Sequence, residues 1–281
     1  MPTADDALAD RRGLIERITA ANAEGAAAHA RVLAAQDPTW GTDVFELAGG
    51  VAVLCGPGLY VNRAMGIGLG GVEVLPDDLA ELERRSAVVG VPASIDVVPT
   101  TDNRLLALSG ERGYALQRML TFHVRVVRPG DREGPSPDPA IVVRRVGREE
   151  LGTWQDVSAA GFDVGDGPGR RASDAFGAAA AAVDGGLLVL ATSDDDGRPL
   201  GCASLHFVGG LAMLGAMSTL PAERRRGVQA VLVAHRLGLA ADAGCELAVS
   251  STLPANASER NLTRAGFRPL FEMATITRRP G

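Results

Sequence analysis

The stretch RPGDREGPSPDP, Arg128–Pro139, limits the fold more than any other feature of the sequence. It mixes proline, glycine and charge without periodicity, so neither a helix nor a strand is expected to run through it, and residues 129–139 read as a linker. Segments of similar length flank it, 1–128 and 140–281, each long enough to enclose its own core. The expectation is therefore two domains.

The second segment reads as a mixed α/β layer structure with helices on both faces of a sheet. IVVRRV (Ile141–Val146) predicts a strand, followed by helices over 149–160 and 172–183. LLVLATS and GCASLHFV predict a hairpin across Asp195-Asp196-Gly197, where Asp-Gly suits a tight turn better than a metal site. LAMLGAMSTL (Leu211–Leu220) predicts a strand, and Val228–Ala243 a helix ended by Gly244. ELAVSS is a further strand, Asn256-Ala-Ser-Glu259 a capping-box start for a short helix, and Leu270–Thr277 a last strand. The first segment echoes this order. A long helix near 6–35 precedes three short strands within 44–69, then helix 77–88, strand 94–98, helix 103–111 and strand 116–126. ERGYALQRMLT can be laid against RAGFRPLFEMAT, with Gly113-Tyr114 on Gly266-Phe267, as an internal duplication would give.

All 28 basic residues are arginine. Without lysine there can be no Schiff base and no P-loop lysine on a nucleotide phosphate. Cys55, Cys202 and Cys245 stand apart, and with four scattered histidines they give no metal-ligand spacing, so no metal is expected and the thiols read as small buried residues. No apolar run is long enough to span a bilayer and the acidic amino terminus has no signal core, so a cytoplasmic protein without a membrane partner is expected. The net charge of −6 argues against nucleic acid as a partner. From Ser218 onward, however, 9 arginines against 5 acids give +4, while the remainder carries −10. A locally positive segment on an acidic chain suits one discrete anion.

That positive segment centres on LPAERRRGVQAVL, Leu220–Leu232. A strand ending in a loop that enters a helix exposes the first backbone N–H groups of the helix, with the positive end of the macrodipole behind them. Gly227 allows close approach, and Arg225 and Arg226 can add charge-assisted hydrogen bonds. Cations at a helix start oppose its dipole unless an anion neutralises them.

Pro221-Ala-Glu-Arg224-Arg-Arg-Gly227-Val-Gln229 resembles the pyrophosphate loop, R/Q-x-x-G-x-G/A, of the GNAT acyltransferase superfamily. Ser258-Glu-Arg-Asn261-Leu-Thr-Arg-Ala-Gly266-Phe267 resembles that family's downstream helix, which ends in Gly-Phe, and the element order over 141–277 is similar too. The doubled arrangement is similar to the family's tandem members. The resemblance implies an α/β fold class with an α+β mixed sheet: two tandem GNAT-like domains, each a mostly antiparallel sheet flanked by helices. It implies an acyl-CoA-dependent N-acyltransferase, with acetyl-CoA as cosubstrate and a small-molecule or peptide amine as acceptor, in a monomer or homodimer. The residues it implies for the coenzyme are Met217, Ser218, Thr219 and Leu220 at the strand end. Arg224, Arg225, Arg226, Gly227, Val228, Gln229 and Ala230 would form the loop, and Ser258 and Asn261 would lie along the pantetheine arm. Gln229 departs from the family's second small residue.

In the first domain Glu73, Asp77 and Asp78 stand where the loop should be and would repel phosphate, so a degenerate copy without coenzyme is expected. GIGLGG (Gly66–Gly71) matches a dinucleotide fingerprint in letters, but Val-Glu-Val-Leu-Pro follows it instead of a helix. For chemistry, a backbone N–H of Met217 or Ser218 would meet the oxyanion. His206 is the candidate base, with the half-exposed strand histidine as its alternative reading, and Ser258 a candidate proton donor. His235 reads as a core histidine, and Asp163 and Asp166 could draw in a cationic acceptor. The position that holds tyrosine in many relatives is Leu262. A non-catalytic acyl-CoA-binding module is the alternative function.

Overall fold

The computed structural model describes residues 10–131 and 138–278. They fall into two compact units that do not follow the boundary expected from the linker. The first unit comprises the described residues up to Phe122 together with those from Leu270 onward; the second is His123–Pro269. Most of the expected linker, 132–137, lies outside the described residues. Its start is a short turn, Pro129–Asp131, held by bidentate hydrogen bonds from Arg125 to Asp131 at 2.9 and 2.7 Å.

The first unit opens with helix α1, Arg11–Gln36, whose N-cap Asp10 accepts from the Gly13 N–H at 2.9 Å. Leu14, Ile15, Ile18 and Leu33 recur at helical spacing and are buried. Strands β1 (Asp43–Leu47) and β2 (Gly50–Leu54) form a hairpin through Ala48 and Gly49, both with positive φ, as a two-residue turn requires. Strand β3 (Arg63–Met65) runs antiparallel to β2, and β4 (Ala93–Val97) parallel to β3. Helices α2 (Pro76–Val89) and α3 (Asn103–Glu111) bury Leu79, Leu82 and Leu105 against Leu54, Ala64 and Ile95. Strand β5 (Ala115–Val126) belongs to this unit as far as Phe122.

The last strand among the described residues completes this unit, so the unit boundary differs from the one expected at 140–281. Strand β11 (Arg268–Arg278) pairs with β4 from Ala274↔Val97 to Arg278↔Ala93. Side chains reinforce the register: Thr275 donates to Asp96 at 2.7 Å and the Ser94 and Thr277 hydroxyls meet at 2.9 Å. Hydrophobic alternation identifies a strand but not its neighbour, so sequence order alone could not place β11.

In the second unit β6 (Ile141–Arg145), β7 (Gly186–Ser193), β8 (Pro199–Val208) and β9 (Leu211–Thr219) form an antiparallel series. Helices α4 (Leu151–Gly161) and α5 (Pro168–Ala182) pack with Trp154, Val157 and Ala180 against Leu188, Leu190 and Cys202. Helix α6 (Val228–Asp242) leads to β10 (Leu247–Thr252), which runs parallel to β9. Helix α7 (Ala257–Arg264) follows, with the Asn256 side chain accepting from the Glu259 N–H at 2.8 Å as the capping signal predicts. Gly244, at φ +70, ends α6. The turn at Asp195-Asp196-Gly197 has Gly197 at φ +70 and a Ser193 N–H to Arg198 carbonyl bond of 3.0 Å.

Candidate active site

Strands β9 and β10 are paired only from Leu211↔Leu247 to Leu214↔Ser250. Beyond Leu214, β9 continues along β8 alone. There the register jumps from Ser204↔Gly215 to Cys202↔Ser218, so Ala216 and Met217 together oppose Ala203. This is a β-bulge, and Ala216 takes φ +41 to make it. The bulge turns the Ala216–Met217 backbone out of the ladder beside the place where β9 and β10 part.

The side chains at the end of β9 divide between the two faces of the sheet. Ser218 is buried on the α4 side, donating to the Val157 carbonyl at 3.3 Å, with the Cys202 sulfur 3.4 Å away. A Cβ on Gly161 would lie 2.4 Å from the Ser218 Oγ, so this contact requires glycine. Alternation turns Thr219 to the α6 face. Ala248 packs with α6 and α7, and Thr252, four residues further along β10, shares its face. Thr219 and Thr252 are only 6% and 7% exposed, and neither hydroxyl has a hydrogen-bond partner among the described residues. Two orphaned buried hydroxyls thus stand at the ends of two separating strands. Buried polar groups are ordinarily paired, so such orphans point to a missing partner.

The loop after β9 is built to present N–H groups. The Leu220 N–H closes the strand on the Leu200 carbonyl at 3.0 Å, and a 3₁₀ turn follows at Pro221–Glu223. Arg225 (φ +66) and Gly227 (φ +80) are left-handed, and Gly227 is the N-cap of α6 without any side-chain cap. Ala230 is the first helix residue whose N–H finds a backbone acceptor, the Gly227 carbonyl at 2.8 Å. The N–H groups of Gly227, Val228 and Gln229 have none among the described residues. A Cβ at Gly227 would meet nothing within 4 Å, so its φ, and not crowding, demands glycine.

The arginines are used differently from the sequence expectation. Arg226 and Arg198 both donate to Glu223, and the Arg198 hydrogen bond is the main reason that carboxyl titrates below its usual range. Arg224 donates to the Gly161 carbonyl at 3.3 Å, where the C-terminal end of α4 favours a cation. Arg225 alone of the three is exposed without a partner among the described residues. Gln229 accepts from the Asn261 side-chain amide, and Arg264 donates to the Asn261 Oδ1 at 3.1 Å. The departure from a small residue at Gln229 therefore has a structural account, because its side chain runs to α7 and ties the start of α6 to the middle of that helix. Ser258 lies half-buried one turn before Asn261; Val228 is buried and Ala230 exposed.

Thr219, Leu220 and the loop lead directly into α6, and Asn261 meets Gln229 there, whereas no contact brings Ser258 to them among the described residues and His206 stands apart. It pairs across the sheet with Met213, six residues before Thr219 or about 20 Å of strand. Its Nε2 is 3.1 Å from the Asp184 carbonyl. His235 is half-buried on α6, and desolvation first, then Arg145 and Arg236, lower its pKa. Asp163 and Asp166 are exposed in the loop between α4 and α5, and Leu262 is buried in the α6–α7 core. Burial pushes the Cys202 thiol up to about 11, which leaves it protonated and unsuited to nucleophilic attack. In the first unit Asp78 caps α2 from within, accepting from the Leu75 N–H at 2.8 Å, and no helix follows GIGLGG before Pro76.

Arg236, Thr252 and Glu223 were not anticipated from the sequence. Arg236 left a usable signal. It is four residues after Leu232 and three after Val233, a cation on the apolar stripe of the helix. The structure buries its guanidinium completely beneath the bulge.

The model of the acetyltransferase (GNAT) family matches residues 162–267, which run from the end of α4 through α7 and include the β9 bulge, the loop after it and the start of α6. A GCN5-related N-acetyltransferase from Kribbella flavida is similar in structure, with a TM-score of 0.63 at 19% identity, over 90% of this chain and 96% of that one. A tandem GNAT protein from the clavulanic acid biosynthesis pathway gives 0.59 at 16% identity over 83% and 80%. A GCN5-related N-acetyltransferase from Sphaerobacter thermophilus gives 0.57 at 17% over 85% and 77%. These likenesses extend over both units and show the shared fold. No curated protein matches the sequence significantly.

Proposed function

We propose that this chain, which carries a GNAT-family domain at residues 162–267, is an acyl-CoA-dependent N-acyltransferase that moves acetyl from acetyl-CoA directly to an amine. The observation that carries this reading is the start of α6, where the N–H groups of Gly227, Val228 and Gln229 have no backbone acceptor among the described residues, together with the two hydroxyls, Thr219 and Thr252, that have no partner among them. A diphosphate fits the first feature through hydrogen bonding and the helix dipole. The amides of a pantetheine arm fit the second, since Thr219 and Thr252 can each donate or accept.

In direct transfer the amine nitrogen attacks the thioester carbon, and the carbonyl oxygen takes up negative charge. The C–S bond then breaks, sulfur leaves as thiolate, and the proton lost by the ammonium passes to water. The bulge at Ala216–Met217 offers a backbone N–H for the oxyanion, with no side chain needed. The protonated Cys202 argues against an acyl-cysteine intermediate. With His206 on the Asp184 carbonyl, water is the base this reading adopts.

A second reading, a non-catalytic acyl-CoA-binding module, is favoured by Leu262, which occupies the position of the family's usual tyrosine inside the core. Calorimetry with CoASH and acetyl-CoA, followed by thiol release from acetyl-CoA over a panel of amines, separates the two. Binding with turnover on some amine is expected; binding without turnover on all of them supports the module. No binding, with Arg226→Glu leaving the melting temperature in CoASH unchanged, refutes both.

A further inference from the structure

The Arg236 guanidinium is 1% exposed, and no carboxylate pairs with it among the described residues. Nε donates to the Leu232 carbonyl at 3.1 Å on its own helix. Nη1 donates to the carbonyls of Ser204 at 3.0 Å and Gly215 at 3.3 Å, and Nη2 to the Met217 sulfur at 3.0 Å. Ser204 and Gly215 are the last paired residues before the bulge, and Met217 is in it. The intervening Ala203 carbonyl is bonded from the opposite face by the Trp154 indole N–H at 3.2 Å. The irregular stretch is therefore tied from both sides, by a neutral group on α4 and by a cation on α6.

Neutral donors would suffice if these carbonyls only needed partners, as Trp154 demonstrates. A cation buried without an anion is penalised for leaving water. Desolvation accordingly pulls the Arg236 pKa down to about 9, which still leaves it charged at neutral pH. The charge gains a counterpart only when negative charge appears nearby, and the bulge is where the proposed reaction generates it. Arg236 also lies on the helix whose first turn holds the unbonded N–H groups, eight residues or about 12 Å beyond Val228. One rigid element thus connects the anion-binding end to the bulge.

We infer that Arg236 is a positioning residue for acyl transfer: it fixes the β9 bulge so that its backbone N–H meets the thioester oxygen, and supplies the positive charge that polarises that bond. The inference rests on the acyl-CoA reading above and adds the group that tunes its oxyanion site.

The test combines calorimetry with difference infrared spectroscopy of acetyl-CoA carrying a ¹³C-labelled thioester carbonyl, on the full chain and on Arg236→Lys and Arg236→Gln. In the wild type the carbonyl stretch is expected to move to lower frequency on binding. Arg236→Gln should bind acetyl-CoA within about threefold of wild type, because the diphosphate carries ground-state affinity, yet lose more than about half of the frequency shift. Arg236→Lys, which keeps the charge, should retain most of it. A wild-type shift in Arg236→Gln overturns the inference. If that variant does not fold, loss of the shift in a folded Arg236→Lys overturns it equally. Acetyl-CoA bound by wild type with an unshifted carbonyl refutes the inference and spares the function. No binding at all refutes the function itself.

Discussion

Replacing Thr219 by valine should strengthen the free protein and weaken its hold on acetyl-CoA. The Thr219 hydroxyl is buried at the end of β9 with no partner among the described residues. An unsatisfied buried hydroxyl costs about 1–3 kcal/mol, and valine keeps the shape while removing the oxygen. Allowing for relaxation around the site, Thr219→Val should gain about 1 kcal/mol, or roughly 2–4 °C in melting temperature for a chain of this size. On the acyl-CoA reading the same change would remove a hydrogen bond to the ligand worth about 0.5–1.5 kcal/mol, so the acetyl-CoA Kd should rise about 2- to 13-fold. Thr219→Ser is the control, because it keeps the hydroxyl, should keep the affinity, and should lose stability through the missing methyl. Scanning calorimetry without ligand and titration calorimetry with acetyl-CoA read the two effects independently. A lower melting temperature for Thr219→Val, or an unchanged Kd, would show that the hydroxyl is satisfied within the protein and that the argument from orphaned groups is wrong. Thr252→Val should behave in the same way, being buried on the same face of β10.

Gly161→Ala should be harmful despite its conservative appearance, since the new methyl would lie 2.4 Å from Ser218 Oγ and 2.6 Å from its Cβ. A loss of about 1–3 kcal/mol is expected from overpacking and should be visible in thermal melting, with weaker acetyl-CoA binding as β9 shifts. Glu223→Gln releases Arg198 and Arg226 from their shared carboxylate and should tighten CoASH binding, more so at low ionic strength. The pKa of Glu223 is lowered in the folded state, so its contribution is present above the unfolded value and vanishes as pH falls through the folded one. The variant's stability should therefore decline less in acid. His235 titrates below its ordinary range because burial disfavours the cation. Stability should be complete above the unfolded value of about 6.5 and diminish as pH drops towards the folded one. His235→Leu should flatten that decline in melting experiments at graded pH.

Much of this architecture was legible because periodicity reports secondary structure directly. The α6 stripe from Val228, the Asn256 cap and the Asp-Gly turn all act within a few residues of themselves. The uncapped start of α6 was legible for the same reason, since the proline, the arginines and the N-cap glycine occur in one short run. What could not be read depends on partners distant in sequence. Glu223 looks like a surface acid until Arg198, twenty-five residues earlier, is found against it. Gln229 looks like an obstruction until Asn261 receives it. The bulge leaves no local mark in AMST, because its cause is the mismatch of register between β8 and β9. His206 shows the converse, a residue type suited to catalysis whose strand position puts it on the Asp184 carbonyl.

The return of β11 to β4 bears on how the molecule is made. During synthesis from the amino terminus, the first unit emerges complete except for the strand that lies between β4 and β5 in its sheet, and it must wait for the whole of the second unit to leave the ribosome. Until then the β4 edge from Ala93 to Val97 presents unpaired peptide groups, a hazard for nascent chains in crowded surroundings. Cutting the gene between the two apparent repeats would make that interval permanent.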